Sequence, residues 1–162
     1  MKQIGMDFVS DKWHSRYIDI AKVVSHWSKD PSTCVGAVAV GSKGQVLSQG
    51  YNGFPRKIND GPERLQDRET KYQYIVHAEM NCIYNATYNG VSLDGSTMYV
   101  YGLPICSECA KGIIQVGVKK VVMPYQDVPE KWQESFNLTM SMFDEAGVEW
   151  KMIDYEGINS RD

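Results

Sequence analysis

No apolar run in this sequence approaches the roughly 20 residues that a bilayer-spanning helix needs. Met1 to Ser10 has neither the basic start nor the apolar stretch of a secretory leader. These two absences point away from a membrane and to the cytoplasm, of a cell or, for a viral protein, of its host. Positive charge is not in excess: the net charge is −3 and the sequence pI about 5.6. A general nucleic-acid binder needs a basic face to neutralise backbone phosphates, so the acidic balance argues against that partner. It leaves room for one small anion held by a few local Lys and Arg residues. Repeats, low-complexity tracts and Pro/Gly-rich linkers are missing too, and 162 residues suit a single domain over 1–162 with one core.

Cysteine is sparse. Cys34, Cys82, Cys106 and Cys109 are the four present, and without a secretion signal metal binding or burial explains them better than disulfides. Only Cys106 and Cys109 stand at ligand spacing. Cys34 falls in an apolar run and Cys82 five residues past a histidine, so both read as core residues. His14 and His26 read as surface or packing histidines.

Apolar residues at helical spacing (Trp13, Tyr17, Ile20, Val24, Trp27) predict an amphipathic helix over 11–29. Residues 34–40 and 45–51, joined by a turn at Gly41 to Gly44, predict a hairpin. A polar loop with Gly53, Pro55, Gly61 and Pro62 as breakers follows, over 52–71. Helices are expected over 77–89, 106–116 and 129–146, and strands over 97–101, 119–123 and 148–152. Helices alternating with strands in the second half imply crossovers and partly parallel pairing. The fold class is therefore α/β, a three-layer α/β/α sandwich around a mixed sheet of about five strands.

Two short segments carry the chemistry. His77-Ala78-Glu79 and Pro104-Ile105-Cys106-Ser107-Glu108-Cys109 each open a predicted helix. Cysteines three apart share one face of a helical turn, so both sulfurs can reach one ion. The partial positive charge of a helix N-terminus favours their thiolates. With His77 they make three protein ligands, which leaves a fourth tetrahedral position open, as catalytic zinc requires. Glu79 is too far round the helix from His77 to join the ligand set and is free to move protons. A structural zinc would want a fourth protein ligand, and Cys82 points elsewhere. His-x-Glu followed by Pro-Cys-x-x-Cys is the known signature of zinc nucleobase deaminases, and this pair of segments resembles it, with Ile105 as an extra residue between proline and cysteine.

The chain further resembles the deoxycytidylate (dCMP) deaminase family over nearly its whole length. The likeness runs through Ser28-Lys29-Asp30-Pro31, Val35-Gly36-Ala37, Gly50-Tyr51-Asn52-Gly53-Phe54-Pro55, Thr70-Lys71-Tyr72, His77-Ala78-Glu79-Met80-Asn81, Cys109-Ala110-Lys111 and Gly117-Val118-Lys119-Lys120. The resemblance implies a cytidine deaminase-like fold, one Zn2+ per chain and hydrolysis of dCMP to dUMP and ammonia, which supplies dUMP for thymidylate synthesis. It implies that Glu79 carries protons to ring N3 and to the leaving amine. Asn52 would hydrogen-bond the sugar or base, the backbone N–H of Ala78 the base carbonyl, and Tyr125 would lie near the nucleotide. One or two of Arg56, Lys57, Arg64, Arg68 and Lys71 would hold the 5′-phosphate. The family also implies a homo-oligomer, often a hexamer, with dCTP and dTTP as effectors. Some members carry a second zinc site before His-x-Glu, but residues 53–76 contain no Cys or His.

Three readings compete with this one. The substrate could be cytidine, dCTP or a modified cytosine nucleotide. The chain could deaminate adenosine in tRNA, although its acidic balance lacks a path for RNA. It could be a nucleotide-sensing zinc protein without activity, for which Glu79 would have no use. Leu103 and Ile105 depart from the family's pattern before the cysteines and bear on pocket shape.

Overall fold

The computed structural model describes residues 9–157. The first helix, α1 (Asp11–Ser25), opens at Ser10, whose Oγ accepts the Trp13 N–H at 3.4 Å. Strands β1 (Gly36–Val40) and β2 (Val46–Tyr51) form the expected hairpin, antiparallel with a register shift at Ala39/Val40. Short helices α2 (Pro62–Leu65) and α3 (Arg68–Tyr74) follow, then α4 (Ala78–Tyr88), β3 (Thr97–Tyr101), α5 (Ser107–Gln115), β4 (Lys120–Pro124), α6 (Glu130–Ala146) and β5 (Glu149–Ile153). The sheet order is β2-β1-β3-β4-β5; β1 runs antiparallel to both neighbours, and β3, β4 and β5 are parallel.

Alternation along the strands divides the core. Ala37, Ala39, Met98, Val100, Val121 and Met123 pack against Cys82, Ile83 and Ala86 of α4 and Cys109, Ala110 and Ile113 of α5. Val38, Val40, Tyr99 and Val122 pack against Ile18, Ala21 and Val24 of α1. Helices thus cover both sheet faces, and the three-layer mixed-sheet expectation holds. Among the described residues no helix is long and apolar enough to cross a membrane. The leader reading of Met1 to Ser10 falls almost wholly outside them.

Two glycines set how closely the helices approach. A Cβ on Gly36 would lie 2.0 Å from the Ala21 carbonyl oxygen, and one on Gly50 would lie 2.3 Å from the Cys82 backbone nitrogen and 2.6 Å from the Ala78 carbonyl oxygen. Gly36 seats α1 on one face and Gly50 seats α4 on the other. Ser48 Oγ–H donates to the Cys82 carbonyl at 2.7 Å, and Asn81 and Asn85 of α4 donate to the β2 carbonyls of Tyr51 and Gln49. The N-terminus of α4 is therefore fixed to the end of β2.

Four local expectations need correction. The buried face of α1 is His14, Ile18, Ala21, Val24 and Ser25, whereas Trp13, Ile20 and Trp27 are exposed. Small residues must meet Gly36, so the indoles lie outside: Arg16 stacks over Trp13, and Trp27 meets the edge of Tyr51. The helix also ends at Ser25, before the expected Lys29. The 52–71 loop contains α2 and the start of α3; Gly61 caps α2 and Pro62 occupies its first turn, so the supposed breakers start a helix there. Cys34 lies before β1, half-buried, with its thiol near the carbonyls of Ser28 and Asp30. Cys82 is in the core as expected, and burial pushes its thiol up to about 12. His14 is also a packing residue, wholly buried with Nδ1 2.8 Å from the Tyr99 hydroxyl.

Candidate metal centre and active site

Both chemistry-bearing segments become helix caps. His77 is the N-cap of α4 and Cys106 the N-cap of α5, where Cys106 Sγ accepts the Cys109 N–H at 3.4 Å. His77 Nδ1 lies 3.3 Å from Cys106 Sγ and 3.4 Å from Cys109 Sγ, and the three ligand atoms lie within 4.8 Å of one another. Tetrahedral zinc, with bonds of about 2.3 Å to sulfur and about 2.0–2.1 Å to nitrogen, separates N and S ligands by about 3.6 Å. The donor set and its spacing therefore fit zinc with one position left for another ligand. Helix α6 braces this loop: Ser135 Oγ accepts the Ser107 N–H at 2.9 Å, and Thr139 Oγ1–H donates to the Ile105 carbonyl at 2.9 Å.

The electrostatics match. Hydrogen bonding from Cys109, helped by His77, lowers the Cys106 thiol to about 4 against burial, so it is a thiolate at neutral pH. The same contact with Cys106, together with burial, pushes the Cys109 thiol strongly up. His77 is raised above its ordinary value by its bond to Cys106, against burial. Both shifts favour the protonated forms of His77 and Cys109, against which an ion would compete. Glu79 is 4% exposed, and burial raises its carboxyl above the usual range despite opposing pulls from Cys109 and His77. A buried carboxyl beside an open coordination position is suited to proton transfer.

A cavity of about 240 Å³ opens from this cluster. His77, Ala78, Glu79 and Cys106 line it, and Arg68, Lys71 and Lys131 contribute positive charge to its wall. Val35, Ile75, Leu103, Pro104 and Trp132 supply apolar surface. Lys71 pairs with Asp30 at 3.0 Å, both side chains being buried. Among the described residues neither Arg68 nor Lys131 has a carboxylate partner; each lies over an aromatic ring, Tyr72 and Trp132 respectively. The pocket therefore joins a group that could hold a metal to two cations without a carboxylate partner among the described residues.

Residues 11–124 match the family model of the cytidine and deoxycytidylate deaminase zinc-binding region. The chain belongs to that family. Human deoxycytidylate deaminase is 36% identical over 166 aligned positions, which cover 93% of this chain and 89% of that protein. An uncharacterized deaminase encoded in the luxG 3′ region of Aliivibrio fischeri is 40% identical over 147 positions, 88% of this chain and 96% of that one. The crystal structure of the cyanophage S-TIM5 dCMP deaminase in complex with dCMP and dUMP has a TM-score of 0.70 at 23% identity, covering 90% of this chain and 99% of that one. At that identity the likeness is one of fold. As a member of this deaminase family the chain is a zinc-dependent hydrolase, and His77, Cys106 and Cys109 form a group that could hold the ion.

Among the residues singled out from sequence, Asn52, Lys71, Ala78 and Glu79 line the cavity with the ligands His77 and Cys106. Cys109, which is not on the cavity wall, completes the cluster. Ala78 is the first residue of α4, where helix geometry leaves the N–H without an intrahelical acceptor. Arg56 does not line the cavity: its Nη2 donates to Asn85 Oδ1 at 2.6 Å and its guanidinium lies over Tyr88. Tyr125 is also outside, its ring exposed while its N–H donates to the Ile153 carbonyl at 2.9 Å. Lys57 and Arg64 are likewise absent from the wall. Asp30, Lys131 and Trp132 are wall residues that the sequence reading did not assign to the site. Asp30 lies in the Ser28-Lys29-Asp30-Pro31 segment of the family likeness but was given no role, and no local motif marks Lys131 or Trp132.

Proposed function

We propose that this chain hydrolyses dCMP to dUMP and ammonia. The observation that carries the reading is one cavity holding a three-ligand zinc cluster, a buried Glu79 and the cations Arg68 and Lys131. The human and cyanophage relatives are named for dCMP, and the cyanophage protein binds dCMP and dUMP. Zinc, when bound by His77, Cys106 and Cys109, lowers the pKa of a coordinated water toward about 7.

The protein's own groups do the rest. Glu79 accepts a proton from the attacking water and delivers it to ring N3; after attack at C4 it takes the second proton from the new C4 hydroxyl and passes it to the departing amine. The C4 carbonyl forms as the C–N bond breaks, so that water and dCMP become dUMP and ammonia. Burial of Glu79 suits it to hold the proton between these transfers. The Ala78 N–H, at the positive end of α4, faces the base carbonyl. Arg68 and Lys131, with the remaining N–H of Lys71, hold the 5′-phosphate. Steady-state rates on dCMP, deoxycytidine, CMP and dCTP test this assignment. A kcat/KM for dCMP at least about tenfold above that for deoxycytidine supports it; equal values contradict the phosphate end.

The proposal includes one domain over 1–162, a cytoplasmic setting and a homo-oligomer, a hexamer by family resemblance, with dCTP and dTTP as effectors. Family membership supports these. Sedimentation with and without dCTP tests the last two: a monomer indifferent to dCTP contradicts them.

A further inference from the structure

Asn52 is tied to the protein on every side but one. Its Oδ1 accepts the Val35 N–H at 2.9 Å, while Nδ2 donates to the Thr33 carbonyl at 2.9 Å and to Asp30 Oδ2 at 3.4 Å. A primary amide has two N–H donors and an oxygen with two lone pairs. Both donors face protein acceptors, so the second lone pair of Oδ1 is what Asn52 can offer a ligand. It can accept a hydrogen bond but not donate one.

Asp30 maintains this orientation. Its Oδ1 accepts from the Ser32 N–H at 2.8 Å, the Thr33 N–H at 3.3 Å and Lys71 Nζ at 3.0 Å. Lys71 Nζ also reaches Ser32 Oγ at 3.3 Å. The carboxylate is an acceptor only, so a flipped Asn52 would turn its own oxygen toward a negative charge and its NH2 toward the Val35 N–H. The Asp30 and Lys71 side chains are 7% and 5% exposed, which keeps water from substituting for either partner. The network spans residues 30, 32, 33, 35, 52 and 71, brought together from the segment before β1, the end of β2 and α3.

We propose that Asp30 is a positioning residue: it fixes the Asn52 amide so that the pocket presents an acceptor to the substrate's sugar hydroxyl. Asp30 touches no reacting atom and acts through Asn52 and the 32–35 backbone. The inference rests on the dCMP reading and deepens it by naming what sets sugar recognition. The Val35 N–H and the Thr33 carbonyl also set the direction of the amide, and Asp30 holds that backbone through the Ser32 and Thr33 N–H groups. Neutral Asn at position 30 therefore weakens both the frame and the direct contact.

The test compares kcat/KM for dCMP and for 2′,3′-dideoxycytidine monophosphate, which has the same base and phosphate but no sugar hydroxyl. The enzymes are the zinc-loaded wild type, Asp30→Asn, and Asp30→Asn with Lys71→Met. The double variant removes the buried cation that the single change leaves without its partner. Because both substrates carry the phosphate, loss of Lys71 cancels from their ratio. The wild type is expected to prefer dCMP by about tenfold or more. Each variant that keeps one zinc and a cooperative melt should bring the preference to about threefold or less, mainly through KM for dCMP. A folded, zinc-loaded variant with the wild-type preference overturns the inference alone, as does a wild type that does not distinguish the substrates. A wild type that turns over neither overturns the dCMP reading and this inference with it.

Discussion

Gly50→Ala should damage the metal centre without altering any ligand. The new Cβ would lie 2.3 Å from the Cys82 nitrogen and 2.6 Å from the Ala78 carbonyl oxygen, against an ordinary contact of at least 3.4 Å. Both obstructing atoms are α4 backbone and cannot rotate away, so α4 or β2 must shift by about an ångström. That shift carries His77 and Glu79 with it. Metal sites tolerate about ±0.2 Å in ligand distance, and a displacement of about 1 Å costs on the order of 10²-fold in rate. The variant should therefore lose roughly 10²-fold in kcat and at least about tenfold in zinc affinity, besides the roughly 1–3 kcal/mol of an overpacked contact. Gly36→Ala is the control. Its Cβ would lie 2.0 Å from the Ala21 carbonyl oxygen of α1, on the sheet face away from zinc. It should lower stability as much, yet leave zinc affinity per folded molecule near wild type. Chelator competition for zinc, with melting curves on both variants, reads this out. Equal zinc loss in both, or none in Gly50→Ala, refutes the argument that Gly50 seats the catalytic helix.

Three further outcomes follow from the electrostatics of the site. Glu79→Gln should retain zinc but lose turnover. It should also raise the melting temperature of the zinc-free protein at neutral pH by about 2 °C or more. The sign follows from burial: a folded-state pKa raised above the ordinary 4.5 makes the ionised carboxylate a cost above the folded pKa and no cost below the unfolded one. The gain should vanish in acid, and a gain that persists there would contradict the burial argument. Zinc addition should release protons, because the ion takes thiolates and a neutral imidazole while the contact with Cys106 raises both His77 and Cys109. Affinity should fall as pH drops and the ligands hold their protons; proton release measured in weak buffer is the check. Zinc binding that releases no protons and is indifferent to pH would contradict the ligand assignment. Arg68→Ala and Lys131→Ala should each raise KM for dCMP by about tenfold, with little effect on deoxycytidine. Equal effects on both substrates would remove these residues from the phosphate end.

The parts of this protein written locally in the sequence were the legible ones. His77, Glu79, Cys106 and Cys109 lie within two tight spacings, and each spacing became a helix cap as expected. The short apolar run that became β1 and the alternation of helices with strands in the second half gave the three layers. The buried face of α1 was misread because this helix has two apolar stripes. Which one is covered depends on Gly36, eleven residues beyond the helix end. Helices α2 and α3 are too short for periodicity to reveal. The substrate end was the least legible, since Asp30, Arg68 and Lys131 converge from three distant segments. Among the basic residues of the 52–71 segment, Arg68 and Lys71 reach the cavity, and Arg56 is held away by Asn85. Composition cannot sort them; the turn of the chain does.

The most direct measurement of the central claim is product analysis of dCMP incubated with the zinc-loaded chain, beside the zinc-depleted chain and Glu79→Gln. The account predicts equimolar dUMP and ammonia from the first, neither from the other two, and recovery when zinc is returned to the depleted chain. Turnover that survives loss of zinc or of the Glu79 carboxylate, or zinc-loaded protein that leaves dCMP intact, would contradict it.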